Sequence, residues 1–156
     1  MLQFITMIFT TFFLGLFFAF ADTPKSDSCE AVQDVTLEEF RWKYRLIVLT
    51  APSASDHSFQ QQLQQLIAED AGLAERELRI LALFQKGCSM LDEQEISSES
   101  ASRVARQLEA GLSSFSFRLI GKDGGVKAFS DEMVSPEWLF GIIDRMPMRQ
   151  REIRNR

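Results

Sequence analysis

The sequence contains one histidine and two cysteines, which leaves few residues for metal or nucleophilic chemistry. Cys29 and Cys88 form no Cys-x-x-Cys motif and have no metal-ligand spacing. Asp56 and the serines that could join His57 in a hydrolytic triad are its immediate neighbours in the sequence. The residues of a triad instead converge from separate segments. Asp56 is instead typical of a residue that caps the start of a helix. We therefore expect no metal and no cofactor.

Charged side chains are absent from residues 1–21. The apolar run from Phe4 ends in Ala19-Phe20-Ala21, a small-x-small pattern of the kind signal peptidase cleaves, and Asp22 follows. The pattern predicts a signal peptide over 1–21, cleaved between Ala21 and Asp22, and a periplasmic or secreted protein. Since no lysine or arginine precedes the run, an uncleaved anchor is the alternative, because about 18 residues can just span a bilayer. This is the only membrane contact we expect.

Basic residues are outnumbered by acidic ones, 17 to 22, and the net charge is −5. Five of the basic residues are arginines within 141–156, so the rest of the chain is strongly acidic. This distribution argues against a nucleic-acid partner. Arg145 and Arg149 are candidate contacts for a polyanion; a solvated helix end is the alternative interpretation.

The remaining chain is predicted to contain a loose polar lead-in at 22–35 and one domain at 36–156. Two continuous apolar runs are typical of buried strands, and Ala51-Pro52-Ser53 is predicted to end the first of them. The segment 121–125 contains Asp-Gly and Gly-Gly pairs, which predict a hairpin turn. Ser135-Pro136 predicts a helix start. The predicted elements are strand 46–49, a helix from Asp56 ended by Gly72, strand 78–84, an acidic connector at 87–100, helix 104–112, strands 115–120 and 126–129, and a helix from 136 ended or kinked by Pro147.

This order, β-α-β-α-β-β-α, predicts an α/β, thioredoxin-like fold with a central mixed sheet and helices on both faces. Segments 37–48, 119–127 and 143–149 are similar to a bacterial family of domains of unknown function. That family is the microbial branch of the peroxiredoxin-like P-DUDES domain, which also occurs in vertebrate extracellular-matrix and sushi-repeat proteins. The resemblance covers about 36–154. It implies a thioredoxin-like fold and extracellular residence, but no established activity for the bacterial members.

The position where thioredoxins and peroxiredoxins carry their reactive cysteine has none here. Aligned on Pro52, Asp56 stands where peroxiredoxins have a hydroxyl residue, and Phe59 stands where they have the peroxidatic cysteine. A cis-proline before the third strand is also missing, since Ser113-Ser114 stands there. Peroxide reduction needs a thiolate at a helix start, so this site is predicted to be inactive in redox chemistry.

The cysteines leave two interpretations open. They are either paired, which would close a loop of about 60 residues and stabilise the fold by about 4 kcal/mol, or they are two unrelated thiols. Lys122 and Asp123 are interpreted first as turn residues and are also candidate binding residues.

Three hypotheses of function follow. The first is an exported non-redox binding or structural module whose partner is an unknown protein or envelope polymer. The second is a thiol–disulfide oxidoreductase that uses Cys88 or Cys29. The third is a polyanion-binding protein that uses the C-terminal arginines. The candidate binding residues are Asp56, His57, Lys122, Asp123, Arg145 and Arg149.

Overall fold

A computed structural model describes Cys29 and residues 33–155, and the predicted signal peptide with its cleavage site, Ala21-Asp22, lies outside them. Six strands form one sheet in the order β4-β3-β2-β1-β5-β6. A short 3-10 helix at Leu37–Phe40 precedes the sheet. The elements are β1 Arg45–Ser53, α1 His57–Ile67, α2 Asp70–Glu75, β2 Leu78–Lys86, β3 Met90–Leu91, β4 Gln94–Glu95, α3 Ser98–Gln107, β5 Ser116–Ile120, β6 Val126–Ser130, α4 Pro136–Asp144 and α5 Pro147–Arg154.

The predicted mixed sheet and its two helical layers are confirmed. β1 and β2 run parallel, with Ile47 beside Ile80, whereas β5 runs antiparallel to β1 and to β6. Apolar side chains cover both faces of the central strands, as expected of strands buried on both sides. One core contains residues of α1, α2 and α4, and the other contains residues of the 3-10 helix and α3. No helix in the described part of the chain has the length and apolar character needed to cross a bilayer.

Two predicted boundaries in the first half of the chain are wrong. Ala51-Pro52-Ser53 does not end β1, which continues through Pro52. A proline is tolerated there because β5 stops pairing with β1 opposite Thr50. Gly72 does not end α1 but lies inside α2. A Cβ at Gly72 would lie 2.7 Å from Cε2 of Phe140, so the absence of a side chain lets α2 approach α4 closely.

One further prediction needs correction. The segment 87–100 is more than a connector: it contains β3, β4 and the start of α3, and strands of two residues are too short to show periodicity. Pro147 follows the end of α4, as predicted, and it is also the first residue of a further helix, α5, where its missing N–H costs no helical hydrogen bond.

The lead-in is held more firmly than its polar composition predicts. Val35 is fully buried, and its N–H donates to the Ser100 hydroxyl at 2.9 Å. Gln33 forms a parallel bridge with Ile96. Residues 33–35 therefore pack as part of the domain.

Candidate functional site

The connection between β1 and α1 is closed by its own side chains. Asp56 caps α1, as predicted, since its Oδ1 accepts the N–H of Phe59 at 3.0 Å. The hydroxyls of Ser53 and Ser55 share a hydrogen bond of 2.9 Å. His57 is the exposed first residue of α1. One of the orphan amide groups of the helix start is thus bound within the chain.

Phe59, which the sequence alignment on Pro52 predicts to replace a peroxidatic cysteine, lies in the core. Its side chain is only 4% exposed, and its ring meets the ring of Phe84 edge to face, with centroids 4.8 Å apart. Aromatic pairs prefer this arrangement, and it stabilises the packing of α1 on β2. The position therefore belongs to the core and carries no nucleophile.

The two cysteines of the chain are joined to each other in a disulfide, with Cα atoms 5.4 Å apart. Cys88 lies two residues after the end of β2, and Cys29 lies in the lead-in. Next to Cys88, the buried Ser89 hydroxyl accepts the N–H of Phe84 at 3.0 Å. Of the two interpretations left open by the sequence, the structure has the paired one. The disulfide ties the lead-in to the end of β2.

A groove of about 1080 Å³ lies on the same face as α1. β2 forms its floor, α1 and α2 form one wall, and the β3–β4 hairpin forms the other. Its lining includes Ala54 and Phe59, which belong to the connection between β1 and α1 and to α1, where the resemblance predicts the reactive cysteine of redox relatives. Most of the lining is apolar; it includes Leu63, Ile67, Leu73, Ile80, Ala82 and Met90.

The charges around this groove are predominantly negative. Its lining contains the carboxylates of Asp70, Asp92 and Glu93 and one cation, Arg79. Arg79 is already paired with Asp92, whose other oxygen accepts the N–H of Ile80 at 2.8 Å. The described lining includes no serine, threonine, cysteine, histidine or lysine. The groove thus combines an apolar lining with several carboxylates, and its described lining contains none of the usual nucleophiles.

Arg149 is buried in an ion-pair network at the end of the sheet where β1 and β2 begin. Its side chain is 1% exposed, and it donates to Asp144 at 3.2 Å and to the carboxylate of Glu75 at 2.7 Å. Burial opposes the charge, but the bonds to Glu75 and Asp144 outweigh it and raise the pKa of Arg149. Its guanidinium is therefore used to hold α5 against α2 and α4.

Lys122 belongs to the same network. Glu152 of α5 accepts both Arg45, in two bonds of 3.1 and 3.2 Å, and Lys122 at 2.8 Å. Lys122 also pairs with Glu77. Although burial acts against ionisation of Glu152, the bonds from Lys122 and Arg45 lower its pKa. Both cations connect the sheet to the C-terminal helix.

Asp123 and Arg145 are exposed, unlike Arg149 and Lys122. Asp123 pairs with Lys127 and accepts the N–H of Gly125 at 3.1 Å, and these bonds lower its pKa. It therefore acts as a turn residue. Arg145 is the C-cap of α4 and has no ion pair among the described residues. The structure brings Arg149 and Lys122 into one network and leaves Asp56 and His57 elsewhere.

Comparison with known proteins places this architecture. Residues 36–152 match the family described as "Domain of unknown function (DUF4174)". The chain belongs to this family. The match covers both helical layers and runs from the 3-10 helix into α5.

The DUF4174 domain of this chain is similar to segments of larger vertebrate proteins. It is 28% identical over 136 residues to Coiled-coil domain-containing protein 80 of Danio rerio, covering 75% of this chain and 15% of that protein. It is 28% identical over 120 residues to Sushi repeat-containing protein SRPX of Homo sapiens, and 27% identical over 123 residues to SRPX2 of Homo sapiens. These matches cover 75% and 77% of this chain but only 26% of each relative.

Among solved structures, the DUF4174 domain resembles the reduced 2-Cys peroxiredoxin of Plasmodium vivax. The TM-score is 0.55 at 15% identity, and the match covers 75% of this chain and 85% of that one. The likeness confirms the predicted thioredoxin-like fold. Activity does not carry over with the fold, because the site must supply it and Phe59 is not a thiol.

Sequence reasoning missed the groove. Its signal was present in the apolar stripe of α1, where Phe59, Leu63 and Ile67 are spaced i, i+4 and i+8. Such a stripe normally covers a core, yet Ile67 is 55% exposed. The wall that the sequence did not predict is the β3–β4 hairpin, because its two-residue strands are too short to show periodicity.

Proposed function

We propose that this protein is an exported, non-redox binding domain. Its groove beside α1 holds an apolar segment of a partner protein that is flanked by basic residues. The observation that carries the proposal is the apolar groove itself. Its lining includes Ala54 and Phe59, where the resemblance predicts the thiol of redox relatives, and also several carboxylates. The domain keeps the architecture of a redox fold around a surface suited to binding.

The size and lining of the groove support an apolar occupant. Ligand pockets commonly enclose about 300–1,000 Å³ and are lined mainly by apolar side chains. This groove is of that order, about 1080 Å³, and its lining comes from both α1 and the β3–β4 hairpin. Covering Ile67 and Met90 would remove apolar surface from water, which is the main driving force of most protein association.

The charge at the rim supports basic flanking residues on the partner. Asp70 and Glu93 have no ion pair within the described residues, and Asp92 already neutralises Arg79. Complementary charges at a rim steer association and select partners more than they add affinity. Lysine or arginine beside the apolar segment would meet Asp70 and Glu93.

Export is supported by the apolar run at 4–21 with its Ala-Phe-Ala end, and by the disulfide. Structural disulfides persist in oxidising compartments and are rare in the cytosol. The oxidoreductase hypothesis requires this disulfide to be readily reducible, and a disulfide that resists reductant would exclude it. The polyanion hypothesis loses Arg149, which is buried among carboxylates.

A peptide-display selection on the exported protein tests the proposal. We expect selected sequences to combine apolar residues with flanking lysine or arginine. Ile67→Lys should weaken their binding by about tenfold or more, because it places a charge on apolar surface and repels the basic flanks. The matched control is Ile153→Lys on α5, since Ile153 is similarly exposed, at 45%, but lies outside the groove. Selected peptides without this pattern, or peptides that bind both variants equally, would overturn the proposal.

A further inference from the structure

Arg118 on β5 stands apart from the other cations of the fold. Of the described lysines and arginines that are wholly or partly buried, it alone has no carboxylate within ion-pair distance. Its Nη1 donates to the Ser116 hydroxyl at 2.6 Å, and its guanidinium carbon lies 4.8 Å from the centre of the Phe129 ring. Burial lowers the pKa of Arg118, which shows that its charge is partly removed from water without compensation. A partly desolvated guanidinium favours an anion.

Neighbouring hydroxyls fix the orientation of Arg118. Thr50 is fully buried on β1, and its Oγ1 lies 2.7 Å from the buried Oγ of Ser116. Because Ser116 engages only Nη1, the Nε and Nη2 groups have no protein acceptor within the described part of the chain. A guanidinium offers five N–H donors in a planar fork that matches the two oxygens of a carboxylate.

The strand beside Arg118 has an open edge. β6 is the outermost strand, so the backbone groups on its outer side have no partner in the described sheet. Phe129 lies directly opposite Arg118 in the β5–β6 register. The guanidinium therefore extends over Phe129 toward this edge. The side chains of Phe129 and Val126 are 57% and 53% exposed.

We propose that the outer edge of β6 and Arg118 form a docking site for an extended segment of a partner protein that carries a carboxylate. The segment adds to the sheet as a seventh strand, and its backbone pairs with β6. Its aspartate or glutamate meets the free fork of Arg118, while Phe129 packs against the neighbouring side chains. Strand addition of this kind draws affinity from backbone hydrogen bonds and specificity from side chains.

Charge decides between a partner and a second copy of this chain. Residues 126–130 read Val-Lys-Ala-Phe-Ser and contain no carboxylate, so pairing through β6 of a second copy would bring Arg118 no counter-ion from that strand. Lys127 and the irregularity between Leu119 and Ile120 also discourage pairing between two identical edges. An acidic segment supplies the carboxylate that Arg118 lacks. The site is independent of the groove, which is negative and uses β2, β3 and β4.

The test is a nuclear magnetic resonance titration of the exported protein with two extended peptides that differ only by glutamate or glutamine at the centre. At millimolar peptide, we expect the glutamate peptide to shift the Nε–H of Arg118 and the backbone amides of 126–130. Arg118→Gln should weaken binding of the glutamate peptide by about tenfold, because the glutamate loses a charged hydrogen-bond donor. Arg118→Lys should be intermediate because it keeps the charge and loses the fork.

Arg145→Gln is the matched control, because Arg145 is an exposed arginine without an ion pair among the described residues, and it should leave binding unchanged. Several results would overturn the proposal: equal binding of both peptides, shifts at Arg118 without shifts in β6, no shifts at all, or a protein that light scattering shows to be a dimer through β6. The proposal would also be overturned if oligogalacturonate, an acidic polysaccharide with no peptide backbone, bound in place of the peptide. A negative result at β6 would not contradict the proposed function of the groove, because the groove is tested separately by Ile67→Lys, which does not alter this edge.

Discussion

The Asp56 carboxylate accepts the backbone N–H of Phe59 at 3.0 Å, at the helix start where peroxiredoxins hold their reactive thiolate. The Phe59 ring then packs against Phe84 in the core. A thiolate at this place would use the amide groups and positive end of the helix dipole for its stabilisation. In this chain the carboxylate of Asp56 binds an amide group of the helix start, and the ring of Phe59 occupies the position predicted for the thiolate. What remains open beside α1 is the groove.

Asp56→Ala should lower the free energy of unfolding by about 1 kcal/mol, because the start of α1 loses its cap. Asp56→Ser should keep most of the stability, since serine is also a good capping residue. Urea denaturation followed by circular dichroism measures both. Equal losses for the alanine and serine variants would show that the carboxylate stabilises something other than the helix start.

Features set by near neighbours in the chain were predictable. Asp56 and Ser135 cap α1 and α4 as expected, because a cap depends on residues two or three positions away. The turn at 121–125 has Gly124 at φ +83°, as a turn with aspartate and glycine predicts. The parallel pairing of β1 with β2 followed from two buried apolar runs around a helix.

Features set by distant segments were not predictable. Arg149 looked like part of a solvated basic end, yet it is buried because Glu75 from α2 and Asp144 from α4 meet it. Gly72 looked like a helix end, and its real constraint is Phe140, far along the chain. The groove depends on a hairpin of two-residue strands, for which no periodicity exists. Contacts of this kind require the fold itself.

Reducing the disulfide, or replacing Cys29 by serine, should lower the free energy of unfolding by about 4 kcal/mol. The bridge spans a sequence separation of 59, and in the chain-entropy model a loop of about 60 residues contributes that amount. Denaturation with and without reductant measures it, and Cys29→Ser in reductant should show no further loss. A change below about 1 kcal/mol would indicate that the contacts of residues 33–35 hold the lead-in without the bridge.

Intact-mass measurement of the exported protein should show a chain that begins at Asp22. The Ala19-Phe20-Ala21 pattern places cleavage there, because signal peptidase requires small residues at the first and third positions before the cut. Ala21→Lys should block processing and retain the precursor, whereas Lys25→Ala, beyond the site, should have no effect. A protein of full mass in the membrane fraction would favour the uncleaved anchor.

Glu152→Gln should lower the free energy of unfolding by about 2 kcal/mol, because it leaves Arg45 and Lys122 buried with less negative charge. Fully buried pairs lose about 3–5 kcal/mol on removal of one partner, and the 22% exposure of Glu152 reduces that amount. Glu99→Gln is the control, since Glu99 pairs with Arg103 on the surface of α3 and exposed pairs contribute about 0.5 kcal/mol. Equal effects at the two positions would mean that the network does not anchor α5.

The unfolding free energy should fall as the solution is acidified, and Glu152 should account for part of the slope. Burial acts against ionisation of Glu152 and Asp144, but their bonds to Lys122, Arg45, Arg76 and Arg149 lower both pKa values below 4.5 and 3.8. The unfolded chain therefore binds protons at a higher pH than the folded chain.

The contribution of these two carboxylates to stability is fully present above their ordinary pKa values near pH 4, and it is lost as the pH drops through the lowered values. Denaturant titrations at constant ionic strength should show this loss below about pH 4, a shallower loss in Glu152→Gln, and in Glu99→Gln the same loss as in the unaltered protein. Parallel curves for all three proteins would place the acid sensitivity outside the network.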